Sequence, residues 1–378
     1  MCFKTIQGSS RLSRSSFFQI PNSRRNLPRS AERRDIERDT LPQRPTARAP
    51  LDDLLAIGTV KGKYKIPYPL GRRIEPFSGQ KSIKHGMRDE PNPAQAAEEA
   101  IPKPFLDVRV KELDLVPALV GLCVGYEAGR WRSQELVQHM MEWLPEFALT
   151  YSERKSLAAN SAVRLIRAAV RSIYATEKFK NRGEFGELLL HIAIRQVFNT
   201  LPAISKIYYK DADNVTIKGF DAVHVVAGDT SLELWIGESK FYTDISKAIA
   251  DVLEELKLHT EDAYLRREFA AIVNKIDAKW PYAERLRKLL DANTSLDTVF
   301  DAACIPVLLT YDSKAVSTHQ KLTEEYVAAF TSEVKQHHAT FASRQLPNIR
   351  IHLFLIPLKS KEELVKELDE GLKRWQQL

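Results

Sequence analysis

Asp221, Glu238 and Lys240 are the residues whose types and spacing point most directly to chemistry. Side chains alternate along a strand, so residues of one parity share a face. Leu232, Leu234, Ile236, Glu238 and Lys240 fall on one such face, where three aliphatic residues lead into an acid and a base. Burying a charge beside a core is costly unless it is paired or binds metal. Asp221 follows Gly219-Phe220 and shares parity with Val223 and Val225. A hairpin turning at Gly228-Asp229-Thr230 is predicted to bring Asp221 opposite Glu238 and Lys240. Two adjacent carboxylates repel, and a divalent cation relieves the repulsion; oxygen donors of this kind suit Mg²⁺ or Mn²⁺. Such a metal, held by Asp221 and Glu238, activates a water and neutralises charge on a phosphodiester. Lys240 would orient that water or stabilise developing negative charge. The main-chain carbonyl of Ser239 is a further candidate ligand. The competing reading is an ordinary salt bridge between Lys240 and one acid, because Glu-x-Lys alone is a common tripeptide.

Glu184, Glu187, His191 and Arg195 form a polar stripe on an otherwise apolar helical segment. Glu187 is the expected fourth member of the site, as a catalytic and metal-binding acid, with Glu184 the weaker candidate. The alternative is a solvated face. His319 and His337-His338 lack an acid or cysteine at zinc-like spacing and read as helix surface. His224 shares hairpin parity with Phe220 and Ala222, away from Asp221, and reads as structural. Trp235 and Phe241 fall opposite Glu238 and are expected to pack on a helix. Lys247 reads equally as a phosphate contact or a solvated lysine.

The elements that must position these groups follow from periodicity and turn signals. A strand is expected at 106–110, and a helix from Ser133 to about Leu144, interrupted by Pro145. A long amphipathic helix is expected over 152–179. The second half reads as helix 183–198, strands 203–209, 215–226 and 232–242, helix 244–265, and further helix over 266–293 broken near Trp280-Pro281. A buried strand at 305–310, helix 322–343, strand 349–356 and a closing helix at 361–377 complete it. This predicts an α/β protein with a mixed sheet flanked by helices. The division expected is 1–104, 105–180 as a mainly helical lead-in domain, and 181–378 as the catalytic domain with a helical insertion at about 266–300.

Bulk properties narrow the classes. The chain has 378 residues and net charge +7. Residues 1–104 hold 20 Lys and Arg against 11 Asp and Glu, and 12 of the 19 prolines, so the basic character belongs to this arm. The remainder holds 36 basic against 38 acidic residues, so bulk charge is no argument for DNA binding by the folded part. The arm is expected to be largely disordered or loosely docked. Its acids Glu32, Asp35, Glu37 and Asp39 argue against a transit peptide. The longest apolar run, Leu115 to Val124, falls short of the ~20 residues that span a bilayer. Three scattered cysteines, Cys2, Cys123 and Cys304, fit a reducing, cytoplasmic setting and exclude a disulfide scaffold.

The acid in a hairpin followed by Glu238-Ser239-Lys240 on the next strand resembles the PD-(D/E)xK nuclease superfamily, with Phe220 where proline often precedes the first acid. That resemblance implies an αβββαβ core. Three blocks are similar to the HamA family, the nuclease subunits of Hachiman antiphage defence systems. They are Gly183-Glu184-Phe185-Gly186-Glu187-Leu188-Leu189, Lys218-Gly219-Phe220-Asp221-Ala222-Val223-His224, and Leu234-Trp235-Ile236-Gly237-Glu238-Ser239-Lys240-Phe241-Tyr242. The likeness covers roughly 105–378. It implies a Mg²⁺-dependent endodeoxyribonuclease held in check by a helicase subunit, HamB, and released when the helicase engages DNA. No GxxxxGK[ST] occurs, so the sequence carries no P-loop motor of its own. Two other readings use the same residues: a non-catalytic subunit that docks a helicase, and a restriction-type endonuclease.

Overall fold

A computed structural model describes residues 101–157, 162–174, 183–204, 219–229 and 231–377. The expectations for the N-terminal arm, for most of strand 203–209, for 215–218 and for the end of helix 152–179 lie outside the described residues.

A seven-stranded mixed sheet organises the molecule, in the order β1-β2-β9-β8-β7-β6-β5. Its first two strands, β1 (Asp107–Glu112) and β2 (Ala118–Cys123), are antiparallel to one another. They come from the segment expected to be a mainly helical lead-in; β1 overlaps the strand expected at 106–110, and β2, which was not expected, hydrogen-bonds in parallel to β9 (Arg350–Leu358). A short ribbon, β3 (Tyr126–Glu127) and β4 (Arg130–Trp131), stands apart from the sheet. Helices α1 (Ser133–Ala148), α2 (Tyr151–Leu157) and α3 (Ala162–Tyr174) follow.

Two local expectations are corrected in α1. Arg132, not Ser133, is its N-cap, and Pro145 does not interrupt it. Proline inside a helix removes one N–H and crowds the preceding turn. Here buried Phe147 and Ala148 hold the final turn against the core, and the Leu149 N–H closes it on the Pro145 carbonyl at 3.1 Å.

The order expected for the second half is present. Helix α4 (Gly183–Phe198) is followed by β5 (Leu201–Pro202), β6 (Ala222–Ala227) and β7 (Leu232–Phe241), then by α5 (Ile245–His259). The helical insertion comprises α6 (Asp262–Lys275), α7 (Ala283–Leu289) and α8 (Leu296–Asp301). Strand β8 (Ala303–Asp312) then enters the sheet between β7 and β9, completing αβββαβ. A short α9 (Lys314–Thr318), α10 (Glu324–Ala342), β9 and α11 (Lys361–Gln376) close the chain.

Register decides which helix faces which side chains. Lys240 pairs with Leu309, Leu309 with Leu355, and Leu355 with Gly121, so these four share a face. Val334 of α10 sits over Gly121, and Glu255 of α5 bonds Lys240, so α5 and α10 cover that face. Ser239, Leu308, Phe354 and Val120 share the other face. There α4 approaches so closely that a Cβ on Gly186 would lie 2.9 Å from the Phe241 Cβ and 3.3 Å from the Ser239 Oγ. Strands β8 and β9 are buried along almost their whole length, as parallel strands covered on both faces must be. Among the described residues no helix is long and apolar enough to cross a membrane.

Candidate active site

Strands β6 and β7 pair from Ala227–Leu232 back to Ala222–Gly237. Beyond that point β7 continues to Phe241 bonded to β8, while β6 has ended. The sheet therefore forks at Asp221. The Asp221 N–H donates to the Gly237 carbonyl at 2.8 Å. Its carboxylate Oδ2 accepts from the Ser239 N–H at 2.9 Å and the Ser239 Oγ at 2.8 Å, taking the place a next strand would fill. The N–H and C=O of one strand residue point to the same side. The Ser239 carbonyl is thus directed into the same fork.

Glu238 and Lys240 lie on the α5 face, as strand parity predicts. Both are buried, Glu238 at 2% and Lys240 at 8% exposure. Their partners were not foreseen. Glu238 Oε1 meets His259 Nδ1, and Lys240 Nζ donates to Glu255 Oε2. With Glu238 ionised its oxygen only accepts, which puts the proton of this bond on the Nδ1 of His259. The His259 ring stacks on Tyr264 at 4.4 Å and 18°, with Phe220 edge-on at 5.2 Å.

Parity had also placed Phe220 with His224. Phe220 instead reaches the α5 side, because β6 begins only at Ala222 and alternation does not extend back past it. The same early end lets the Asp221 carboxylate meet Ser239. Trp235 and Phe241 pack on α4, against Phe198 at 4.8 Å and Phe185 at 6.4 Å.

The stripe on α4 divides in two. Glu184 and Glu187 are half-buried near the helix start, next to Gly186 where α4 meets Ser239. His191 and Arg195 are buried and join a network rather than a solvated face. Glu146 of α1 accepts from Arg195 Nε at 3.0 Å, contacts His191 Nε2 at 3.1 Å and lies 3.6 Å from Arg154. His191 Nδ1 meets His224 Nε2 at 3.1 Å, and His224 Nδ1 meets the Thr200 hydroxyl at 2.9 Å. Burial would raise the Glu146 carboxyl, but the His191 hydrogen bond and the charges of Arg195 and Arg154 outweigh it and hold the acid well below its ordinary range. Burial lowers both His191 and His224. With Glu146 ionised, one arrangement satisfies every ring: Thr200 donates to His224, His224 to His191, and His191 to Glu146. Glu146, His191, His224 and Asp221 line one cleft.

The remaining expectations resolve simply. His338 is buried, and its Nε2 donates to the Pro117 carbonyl at 2.7 Å, so it is not helix surface. His337 and His319 are half-buried. Lys247 is mostly exposed and pairs with Asp251 at 2.7 Å. Cys123 and Cys304 are buried thiols.

Among the described residues no group of three or more His, Cys, Asp or Glu is gathered to hold a metal. Mg²⁺ commonly takes only one or two carboxylates and completes its shell with water and substrate phosphate. Asp221 is a hard oxygen donor at the fork, and Glu238 is another on the α5 face of the same strand, bonded to His259; donors of this type suit Mg²⁺. They do not fit zinc, which favours nitrogen and sulfur.

Fold and site together define a mixed α/β protein of αβββαβ order, with an acid at a strand fork and Glu-x-Lys on the adjoining strand. The HamA family model matches residues 99–372, and the chain belongs to that family. It is also similar to anti-bacteriophage protein A of Escherichia coli (strain K12), with 23% identity over 264 residues, covering 66% of this chain and 46% of that protein. The chain thus spans about half the length of the curated relative it matches.

Proposed function

We propose that this protein is an antiphage defence nuclease, a Mg²⁺-dependent endodeoxyribonuclease. The observation that carries the reading is the fork: Asp221 sits beside the Glu238-Ser239-Lys240 segment, bonded to the Ser239 N–H and hydroxyl. Family membership and the name of the E. coli relative support the defence role. Asp221, Glu238 and the Ser239 carbonyl would hold the metal, and Glu187 is the candidate further acid. Bound there, Mg²⁺ would supply Lewis acidity and lower the pKa of a coordinated water. Asp221 holds Ser239 by two hydrogen bonds, one from its main-chain N–H and one from its hydroxyl. Lys240, held as an ion pair in a buried setting, presents a cation to a phosphodiester and stabilises charge that grows on it. A helicase subunit, HamB, is the proposed partner and restrains the activity until DNA is engaged.

The test is plasmid degradation with and without Mg²⁺, together with phage plating on cells carrying the full system. Glu238→Ala and Lys240→Ala are expected to abolish both cleavage and protection while the circular dichroism spectrum is unchanged. Full activity in both variants would sink the assignment. One observation favours a second reading: Glu238 and Lys240 each have an intrachain partner, as a docking subunit with no catalytic role would also allow. That reading requires protection to survive both substitutions.

A further inference from the structure

The partners of Glu238 and Lys240 belong to a regular series. Two residues of strand advance about 6.6–6.8 Å, and four residues of α-helix about 6 Å. A helix lying alongside a strand can therefore meet every second strand residue with every fourth helix residue. Helix α5 does this against the end of β7. The Tyr242 hydroxyl donates to Asp251 at 2.8 Å, Lys240 Nζ reaches Glu255, and Glu238 meets His259. The three α5 positions are spaced by four; their partners, two in β7 and Tyr242 just past its end, are spaced by two.

We infer that Glu255 and His259 are positioning residues for the site, setting the orientation of Lys240 and of Glu238 from α5. The inference rests on the metal-dependent reading of Asp221, Glu238 and Lys240. His259 carries the greater part. It is buried, and its ring is packed face-on by Tyr264 and edge-on by Phe220, so its Nδ1 proton holds the Glu238 carboxylate in one orientation. Phe220 immediately precedes Asp221. One imidazole thus packs on Phe220, the residue before the first acid, and bonds the second acid directly. Hydrogen bonds to ligating carboxylates fix their geometry, and losing one typically costs about 10–100-fold in metal affinity. Glu255 is more open, with its side chain 41% exposed against 9% for Lys240, and anchors the ammonium from the solvent side.

The experiment uses the full chain. Mn²⁺ binding without DNA is followed by electron paramagnetic resonance, and plasmid cleavage gives kcat and KM separately. His259→Leu is expected to weaken Mn²⁺ binding by about 10–100-fold. His259→Asn puts an amide N–H near the Nδ1 position and is expected to restore binding to within a few-fold. Glu255→Gln is expected to leave Mn²⁺ binding unchanged and to lower kcat with KM for DNA unaltered, and Glu255→Asp to recover part of the loss. A folded His259→Leu chain that binds Mn²⁺ normally overturns the role of His259. So does an Asn variant as weak as the Leu one. Unchanged kcat in Glu255→Gln overturns the role of Glu255, and this arm decides even where His259→Leu fails to fold. Asp221→Asn and Glu238→Gln separate the two levels: if neither alters Mn²⁺ binding, the metal-site reading itself fails and the positioning roles fall with it.

Discussion

Replacing Glu146 by glutamine removes one negative charge from the middle of a buried cluster. In the native chain that carboxylate is bonded to Arg195 and His191 at 3.0 and 3.1 Å and lies 3.6 Å from Arg154. The Arg195 and His191 side chains are 3% and 2% exposed, so after the substitution a guanidinium stays in the interior without its counter-charge. Breaking a buried pair from one side costs about 3–5 kcal/mol. The Glu146 and Arg154 side chains keep 14% and 11% exposure, which places the expected loss at the lower end, about 3 kcal/mol. For a domain of this size that lowers Tm by about 6–12 °C. The assay is urea unfolding followed by far-ultraviolet circular dichroism, from pH 7 down to pH 4. Glu146 is depressed in the fold, so its contribution is fully present above its unfolded value of 4.5 and is lost as pH falls below it. His191 and His224 are also depressed, so their contribution is present above 6.5 and lost on acidification, at up to about 1.4 kcal/mol per pH unit for each. The native chain should therefore weaken from pH 6.5 downward, while the gap between native and Glu146→Gln chains narrows only below about pH 4.5. A loss under about 1 kcal/mol at pH 7, or a gap that widens in acid, would refute the reasoning.

Gly186→Ala puts a methyl 2.9 Å from the Phe241 Cβ, which cannot swing aside, and should cost about 1–3 kcal/mol in unfolding free energy while lowering cleavage through the displaced Ser239. His338→Ala leaves the Pro117 carbonyl without its donor, and a loss of about 1–3 kcal/mol is expected in the same urea titration. Asp221→Asn keeps the shape of the side chain at the fork and should change stability by no more than about 1 kcal/mol, yet abolish plasmid cleavage. Chelation of divalent metal should stop cleavage by the native chain without shifting its thermal transition by more than a few degrees, and restored Mg²⁺ should return it.

Much of the second half could be read from the chain itself. The strand from Leu232 onward announces itself by alternation, and the face carrying Glu238 and Lys240 follows from parity alone. The strand at Ala303–Asp312, buried except at its last residue, is signalled by the apolar run through Leu309. Parity failed just outside the strand, at Asp221 and Phe220, because alternation holds only where the ladder constrains the backbone. Ala118–Cys123 was missed because Leu115 to Val124 is apolar without a period, which is also how a strand covered on both faces reads. Glu255 and His259 could not be singled out. They occupy ordinary helical positions, and their role arises only when α5 is laid against β7. Spacings of four against two would have been the available signal, had the packing of that helix been known.

The place of β2 in the sheet bears on how the protein can be cut. A chain shortened to begin at Gly183 would lose the strand that pairs with β9 along Ala118–Gly121. The row of backbone donors and acceptors on β9 would then face water, flanked by Leu353, Phe354 and Leu355, which are fully buried in the intact chain. Bare, apolar strand edges recruit one another. Such a fragment would come out of cells as aggregates or edge-paired dimers, and its lack of activity would say nothing about Asp221, Glu238 or Lys240.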